Sequence, residues 1–204
     1  MQPIKNIIFD LGGIFLDIHY QLTKEAFINL GIKNFDDLFT QHHANDLFEG
    51  LETGKISELD FYNLFRKEAN INLSDQQIKT AWNALLGSFS LKKLKWLEVI
   101  KQKYNIYLFS NTNQIHYDAF MKIYEAETGK TNFNQHFTKA YYSQKMGLRK
   151  PYPESFLYII NEQNLVPAET LFIDDTIKNI EGAKSVGLKT IYLVAPQTVL
   201  DLDL

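Results

Sequence analysis

A short apolar run that ends in a carboxylate and two glycines is the strongest constraint on the fold of this chain. Ile7–Phe9 is typical of a buried strand in a parallel sheet. Asp10 follows directly, at the strand's carboxyl end, where ligands bind in open α/β sheets. Gly12 and Gly13 allow a tight turn and a close approach of the backbone to a ligand. The stretch favours Asp10 as a reacting or metal-binding carboxylate, with a helix N-cap or turn aspartate as the alternative.

The composition narrows the class of protein. A chain of 204 residues, 45% hydrophobic and 22% charged, can hold one globular domain or a core domain with an insertion. The net charge of -3 gives no electrostatic case for a nucleic-acid or membrane partner. The absence of cysteine excludes a disulfide framework and fits a reducing compartment. With no signal peptide and no apolar run of transmembrane length, we expect a cytoplasmic protein.

A helical insertion is predicted between residues 18 and 88. This stretch has amphipathic segments and no strand-like run, and Ser57–Asp60 and Ser74–Gln77 fit the capping-box pattern. We therefore expect a helical cap over 18–88 and a core domain made of residues 1–17 and 89–204. His42 and His43 are a poor metal pair, because adjacent helical residues do not face the same way.

Strands and helices alternate after residue 88, which predicts an α/β fold with a parallel sheet covered on both faces. We expect the segment Glu125–Asn134 to be a loop, and Lys150-Pro151 to open a helix. Including the first strand, the predicted strands are Ile4–Phe9, Ile106–Phe109, Lys139–Tyr142, Leu171–Ile173 and Thr190–Val194.

Polar residues follow four of these strands and should converge on one edge of the sheet. They are Asp10, the pair Ser110-Asn111, Lys150 and the pair Asp174-Asp175. Clustered carboxylates repel one another unless a cation is present, and Mg²⁺ prefers oxygen ligands. A hydroxyl, loop N–H groups and a lysine suit a phosphate, and a free carboxylate can attack it. Singly, these residues would be loop, cap or solvated side chains, but together they indicate phosphoryl transfer.

The four motifs, in this order, resemble those of the haloacid dehalogenase-like superfamily, most of whose members are Mg²⁺-dependent phosphatases. Asp10-Leu11-Gly12-Gly13-Ile14 resembles the first motif, which makes Asp10 the expected nucleophile. Ser110-Asn111 and Lys150 resemble the phosphate-binding second and third motifs, and Asp174-Asp175 the metal-binding fourth. The resemblance implies a Rossmann-like sheet of order 5-4-1-2-3 with the helical block as a cap. It also implies Mg²⁺ held by Asp10, the Gly12 carbonyl and Asp175, with Asp174 as the second choice.

Longer matches resemble the bacterial α-glucose 1-phosphate phosphatase branch, which is similar to the phosphatase domain of soluble epoxide hydrolase. They are Phe109–Asn113, Ser143–Pro151, and Phe172–Asp175 together with Asn179–Ala183. The branch implies a small sugar or metabolite phosphate as the substrate. Asn179 takes the place of a later acid and is expected to hold the loop.

The first motif departs from the usual pattern at Gly12, where the superfamily normally has a second aspartate as general acid/base. The resembling branch also tends to carry glycine there. Since a glycine cannot protonate a leaving group, and such help is worth about 10²–10⁴-fold, we predict a slow phosphatase or a preference for good leaving groups. Asp17, expected to be a cap or turn acid, His19 or a cap residue could substitute. The turn Glu49–Ile56 could face the site, or be only an exposed connection.

Two other functions compete with the phosphatase. A 2-haloacid dehalogenase uses a similar nucleophile without a metal, and the pair Asp174-Asp175 argues against it. A catalytically silent phosphate-binding or regulatory protein could have lost the general acid at Gly12. The joint presence of Asp10, Ser110 and Lys150 argues against that.

Overall fold

A five-stranded parallel sheet forms the centre of the computed structural model, which describes residues 3–33, 35 and 46–204. A separate two-stranded antiparallel ribbon joins β2 to β3. The strands are β1 (Asn6–Phe9), β2 (Leu16–Ile18), β3 (Leu86–Phe89), β4 (Asn105–Ser110), β5 (Lys139–Tyr142), β6 (Thr170–Asp174) and β7 (Lys189–Tyr192).

The order of the large sheet is β5-β4-β1-β6-β7, with every neighbouring pair parallel. Because β2 and β3 lie outside this sheet, the strand numbers here differ from those in the predicted strand order. Counted within the sheet alone, the order is 3-2-1-4-5, which is the predicted 5-4-1-2-3 read from the opposite edge. The predicted α/β class is confirmed.

Alternation along β1 explains why this strand is central. Ile7 and Phe9 belong to the apolar cluster on one face of the sheet, whereas Ile8 belongs to the cluster on the other. All three are fully buried, as expected for a strand covered by helices on both faces. The helices are α1 (Tyr20–Asn29), α2 (Asp46–Glu52), α3 (Glu58–Ala69), α4 (Asp75–Asn83), α5 (Leu91–Ile100), α6 (Gln114–Thr128), α7 (Ser143–Met146), α8 (Pro153–Glu162) and α9 (Ile177–Ser185).

The four helices α1–α4 share an apolar cluster of their own, built around Phe27, Phe61, Phe65 and Ile78. Both predicted N-caps are present. Ser57 accepts a hydrogen bond from the N–H of Asp60, and Ser74 forms a capping box with Gln77. Ile115, from the first turn of α6, also joins the cluster and so connects it to the sheet region.

Three sequence predictions on local structure are wrong. The block 18–88 does contain strand residues, because β3 begins at Leu86; the ribbon strands are too short to show a clear period. Helix α6 runs to Thr128, into the predicted loop, and ends at Gly129 in the left-handed conformation (φ +70°). Helix α8 begins at Pro153 rather than at Lys150-Pro151, so that Pro153 occupies its first turn.

Within the described residues, no helix is long and apolar enough to cross a membrane. His42 and His43 lie outside the described residues, so the prediction about them stays untested.

Candidate active site

Lys150 lies at the centre of a buried charge cluster at the carboxyl edge of the sheet. Its Nζ donates to Oδ1 of Asp10 at 2.6 Å and to Oδ2 of Asp174 at 2.7 Å. The strand register explains why these two acids lie together. Phe9 of β1 pairs with Ile173 of β6, and the next residues along the chain are Asp10 and Asp174. Lys150 is 1% exposed. The structure therefore places the predicted acid and lysine motifs together.

Asp174 and Asp175 have different surroundings. Asp174 is fully buried and accepts hydrogen bonds from the N–H of Thr176 and from Nδ2 of Asn179, besides Lys150. Asp175 is partly exposed, and within the described residues its Oδ1 accepts a side-chain hydrogen bond only from the Thr176 hydroxyl. Since the protein already saturates Asp174, the arrangement favours Asp175 as the acid free to bind a cation. It also gives Asn179 the loop-holding contact expected of it.

Gly13 makes room for Asp175. Its φ of +70° is one that L side chains rarely adopt, and a Cβ at this position would overlap Oδ2 of Asp175. Sequence reasoning assigned Gly13 to a tight turn and to a close approach of the backbone to a ligand. The pattern of two glycines gave no indication that the second seats an acid from another strand.

Burial and charge shift the pKa values in this cluster. The pKa of Asp10 is raised to about 7. Burial raises it most, the Lys150 ammonium lowers it, and the charges of Asp174 and Asp175 raise it. Burial alone would lower the pKa of Lys150, but the carboxylates of Asp10 and Asp174 hold it above its usual value. Burial and the neighbouring Asp174 also raise the pKa of Asp175. Three acids therefore share a site in which their repulsion is only partly offset by one lysine.

A divalent cation fits this donor set. Asp10, Asp174 and Asp175 each offer an oxygen, and these oxygens lie within 4.8 Å of one another. Clustered carboxylate oxygens are the donors that Mg²⁺ prefers.

The loop after β4 carries Ser110 and Asn111 and is tied to the Lys150 segment. Ser110 is buried, and its hydroxyl makes only a long contact of 3.4 Å to the Asn111 carbonyl. The Asn111 side chain accepts from the N–H of Lys150 and donates to its carbonyl, each at 2.9 Å. The Asn111 side chain therefore positions the backbone of Lys150. Ser143 bonds both the N–H and the carbonyl of Thr112, which braces the loop.

The position of the expected general acid faces Asp10. A Cβ on Gly12 would lie 3.9 Å from Oδ2 of Asp10 and 3.2 Å from Cγ1 of Ile18. Asp17 accepts from the Ser88 hydroxyl at 3.3 Å, which makes it a contact of the β2–β3 ribbon. No contact among the described residues brings Asp17 or His19 to Asp10.

The segment Glu49–Ile56, which holds the end of α2 and the turn after it, contacts the core and so is not only an exposed connection. That it faces the site stays a prediction. Arg149, the neighbour of Lys150, lies 2.8 Å from Glu52 and 3.5 Å from Glu49 as ion pairs. Tyr152 donates to Glu49 at 3.1 Å. A cleft of about 180 Å³ opens outside these pairs, but none of the predicted phosphate or metal residues lines it.

Tyr20 begins α1 and lies near the acids. Its pKa is raised by burial and by the carboxylates of Asp10, Asp175 and Glu52. The residue is 54% exposed to solvent. Sequence reasoning did not single out Tyr20, because no motif residue type or spacing marks it. Gln144 and Arg149 lie in the stretch Ser143–Pro151 that carries the resemblance, but no role was assigned to them.

Comparison with known proteins decides the family. The model of the haloacid dehalogenase-like hydrolases matches residues 4–187. The chain belongs to the haloacid dehalogenase-like hydrolases. The family resemblance seen in the sequence is thus confirmed, and the chain is a hydrolase.

The relatives of this hydrolase include a curated phosphatase. This chain is 34% identical to the D-ribitol-5-phosphate phosphatase of Bacteroides thetaiotaomicron, and the match covers 92% of this chain and 90% of the relative. A family enzyme from the same organism, crystallised as an aspartate-to-alanine variant with magnesium and inorganic phosphate, has a TM-score of 0.89, 32% identity and 96% coverage of both chains. A predicted hydrolase from Porphyromonas gingivalis has a TM-score of 0.83, 30% identity and covers 93% and 91%. The magnesium in a related structure agrees with the predicted cofactor.

Proposed function

We propose that this hydrolase is an Mg²⁺-dependent phosphatase of a small sugar or polyol phosphomonoester, acting through an aspartyl-phosphate on Asp10. The observation that carries the proposal is the buried Lys150, which bonds both Asp10 and Asp174 beside a third acid, Asp175. Similarity to a D-ribitol-5-phosphate phosphatase supports the substrate class.

The residues that would hold Mg²⁺ are Asp10, the Gly12 carbonyl and Asp175, with Asp174 as the second choice because protein donors already surround it. When bound, the ion offsets phosphate charge and so lowers the barrier to attack by a carboxylate.

The reaction would proceed in two displacement steps, in which the site residues of this chain have separate roles. The Asp10 carboxylate attacks phosphorus, the bond to the ester oxygen breaks, and that oxygen leaves as an alkoxide that takes a proton. Water then attacks the aspartyl-phosphate, which releases phosphate and restores the carboxylate. Lys150, the Ser110 hydroxyl and the Asn111 N–H donate to the phosphoryl oxygens and stabilise their charge. Burial of Lys150 strengthens this effect, since water screens it poorly.

Gly12 limits the rate in this proposal. Without a side chain there, neither the leaving alkoxide nor the attacking water has the usual acid/base partner. The leaving group of a polyol phosphate is a primary alcohol, a poor one. We therefore expect turnover of such a substrate to be slow relative to that of an aryl phosphate.

A substrate panel tests the proposal. Phosphate release is measured from an aryl phosphate and from sugar and polyol phosphates, with Mg²⁺ and with EDTA. We expect metal-dependent turnover that Asp10→Asn abolishes. Binding of Mg²⁺ and phosphate without turnover would instead identify a silent phosphate-binding protein, and metal-independent halide release from 2-chloropropionate a dehalogenase.

We also propose the predicted division into a cap of residues 18–88 and a core of 1–17 and 89–204, in a cytoplasmic protein. The separate apolar cluster of α1–α4 supports the division. The absence of cysteine is compatible with the location. Expression of the core with a short linker in place of 18–88 tests the division, because an independent core should still unfold cooperatively.

A further inference from the structure

Two polar side chains cross, in opposite directions, between the loop after β4 and the segment that precedes α8. The Asn111 side chain accepts from the N–H of Lys150 and donates to its carbonyl, each at 2.9 Å. The Ser143 hydroxyl accepts from the N–H of Thr112 and donates to its carbonyl, also at 2.9 Å each. Each segment therefore holds the backbone of the other through one side chain. We call these four hydrogen bonds the cross-bonds.

The Ser143 side chain continues the pairing of β4 with β5 beyond the end of the two strands. Their last backbone pair is Ser110 with Tyr142. Ser143 is already the first residue of the short helix α7, so the strand β5 has ended there. A neighbouring strand satisfies the N–H and the carbonyl of a residue together, and the hydroxyl does the same for Thr112.

Ser143 does not use its hydroxyl to cap its own helix. The residue before α7 is Tyr142, and no side chain caps this helix. Ser143 is fully buried, and Thr112 is 6% exposed. Because water has little access to Thr112, removal of the hydroxyl would leave its backbone N–H without the partner that it has here, which is costly.

The cross-bonds join the two halves of the proposed phosphate site. Lys150 is fixed on one side by its bonds to Asp10 and Asp174, at 2.6 and 2.7 Å. Ser110 is less restrained, since within the described residues its hydroxyl makes only a contact of 3.4 Å, to the Asn111 carbonyl. The distance from that hydroxyl to the lysine therefore depends on how the loop backbone is held. A misplacement of about 1 Å in such a site can cost about 10²-fold in rate.

We propose that Ser143 is a positioning residue of the phosphate site, which acts through Thr112 and holds the Ser110 hydroxyl at the correct distance from Lys150. The proposal rests on the proposed phosphatase function and adds a residue whose effect on phosphate is indirect. Within the described residues, the Ser143 hydroxyl bonds only Thr112.

Calorimetry of inorganic phosphate binding to the full chain, with Mg²⁺ present, tests the proposal. We expect Ser143→Ala to weaken phosphate binding by about tenfold, because the loop can then move away from the lysine. Ser143→Cys keeps the size of the side chain but bonds more weakly, so its loss should be smaller.

Ser155→Ala is the matched control. Ser155 is also fully buried, and its hydroxyl donates to a backbone carbonyl, that of Tyr152, at 2.7 Å. This bond lies within the start of α8 and not across to the loop after β4. Phosphate affinity should therefore stay within about twofold of wild type. Thermal unfolding of both variants compares their losses of stability.

A second background shows whether Ser143 acts through the loop of Ser110. Ser110→Ala removes the hydroxyl whose position the cross-bonds would set. In that background Ser143→Ala should weaken phosphate binding less than it does in wild type, since residues that act through one contact are not additive. Equal losses in the two backgrounds would overturn the proposal.

The other outcomes separate this proposal from the proposed function. A phosphate affinity of Ser143→Ala within about twofold of wild type overturns the positioning role, and so does an equal loss in Ser155→Ala. If Ser143→Ala does not fold, the same comparisons are made with Ser143→Cys. A wild type that binds phosphate but does not hydrolyse p-nitrophenyl phosphate with Mg²⁺ would overturn the phosphatase, while the binding comparison still decides the role of Ser143.

Discussion

At the scale of single residues, Lys150 explains how this site holds several acids in a buried place. It is 1% exposed and bonded to two carboxylates. Removing one partner of a buried charge pair leaves the other charge uncompensated, which is strongly destabilising. Asn111 fixes the lysine by bonding both polar atoms of its backbone. The surroundings of Asp10, the proposed nucleophile, thus depend on a residue 140 positions away in the chain.

Gly12→Asp tests whether the missing acid limits the rate. The Cβ would meet only Cγ1 of Ile18 closely, at 3.2 Å, and its side chain would start 3.9 Å from Oδ2 of Asp10. We expect turnover of an alkyl phosphate to rise by about 10²-fold, because the new carboxyl can protonate the alkoxide. Steady-state kinetics against Gly12→Asn provides the control, since asparagine has the same shape and no acidic proton. Equal rates for the two variants would show that protonation is not limiting.

Gly13→Ala tests the seat of Asp175. Its Cβ would overlap the Asp175 carboxylate at a φ of +70°. We expect Mg²⁺ affinity, measured by calorimetry, to fall by about 10–100-fold as the acid is displaced. Gly129→Ala is the control, because it has the same φ of +70° and no described atom within 4 Å of the Cβ site. It should lose about 1–2 kcal/mol of stability through backbone strain and keep its Mg²⁺ affinity. Equal affinities in both variants would mean that Asp175 is not a ligand.

At the scale of elements, the first turn of α6 connects the loop after β4 to helix α4. Asn113 caps the helix by accepting from the N–H of His116. The His116 ring stacks on Trp82 of α4, with centroids 5.2 Å apart, and its Nδ1 lies 2.8 Å from Oδ1 of Asn83. One helix end therefore contacts both the site loop and the cap helices.

This junction predicts a pH dependence of stability. Burial lowers the pKa of His116 from 6.5 to about 3, so the folded state keeps the ring neutral while the unfolded state binds a proton. The contribution is present above a pH of about 6.5 and is lost as pH falls towards 3. Linkage gives a loss of about 1.4 kcal/mol between about pH 7.5 and about pH 5.5.

Urea unfolding at these two pH values checks the prediction, with His116→Asn as the comparison. Asparagine removes the titrating ring and keeps a polar atom near the Nδ1 position. The variant should be less stable at the higher pH, because it loses the stacking on Trp82, but its stability should fall less on acidification. An equal fall in both proteins would show that His116 is already charged in the folded state.

At the scale of the whole molecule, the sequence predicts the strands that have a continuous apolar pattern and the residues at which such a pattern ends. The apolar runs gave the five strands of the sheet, since a strand buried on both faces such as Ile7–Phe9 leaves a continuous signal. Register then brought Asp10 and Asp174 together, so acids at strand ends could be assigned to one site. The short ribbon and the C-terminal turn of α6 were not predicted. Three or four residues carry too little periodicity, and tertiary contacts determine the structure of such short segments.

The unpredictable part depends on contacts between segments distant in the chain. Nothing in the local sequence of Gly13 indicates Asp175, and nothing near Arg149 indicates Glu52. Such pairs form only when cap and core are folded against each other, and residue type alone does not encode their distance. The seat of Asp175 and the ion pair of Glu52 with Arg149 therefore needed a structure.

Docking of the cap turn on the core yields the last prediction. Gly54 has a φ of +67°, and a Cβ there would overlap the Gln144 carbonyl oxygen, a backbone atom that cannot rotate away. Gly54→Ala should therefore push the turn off α7 and separate Glu52 from Arg149. We expect kcat/KM for a pentitol phosphate to fall by at least about tenfold, because Arg149 directly precedes Lys150 and its displacement disturbs the geometry around the lysine.

Gly129→Ala again separates the effects, since it carries similar backbone strain without the overlap. If Gly54→Ala and Gly129→Ala lose the same stability and neither loses activity, the turn is only a connection. A larger loss of activity confined to Gly54→Ala would assign the loss to the junction. Activity would then depend on how the cap seats against the loop that carries Lys150, and not on the sheet edge alone.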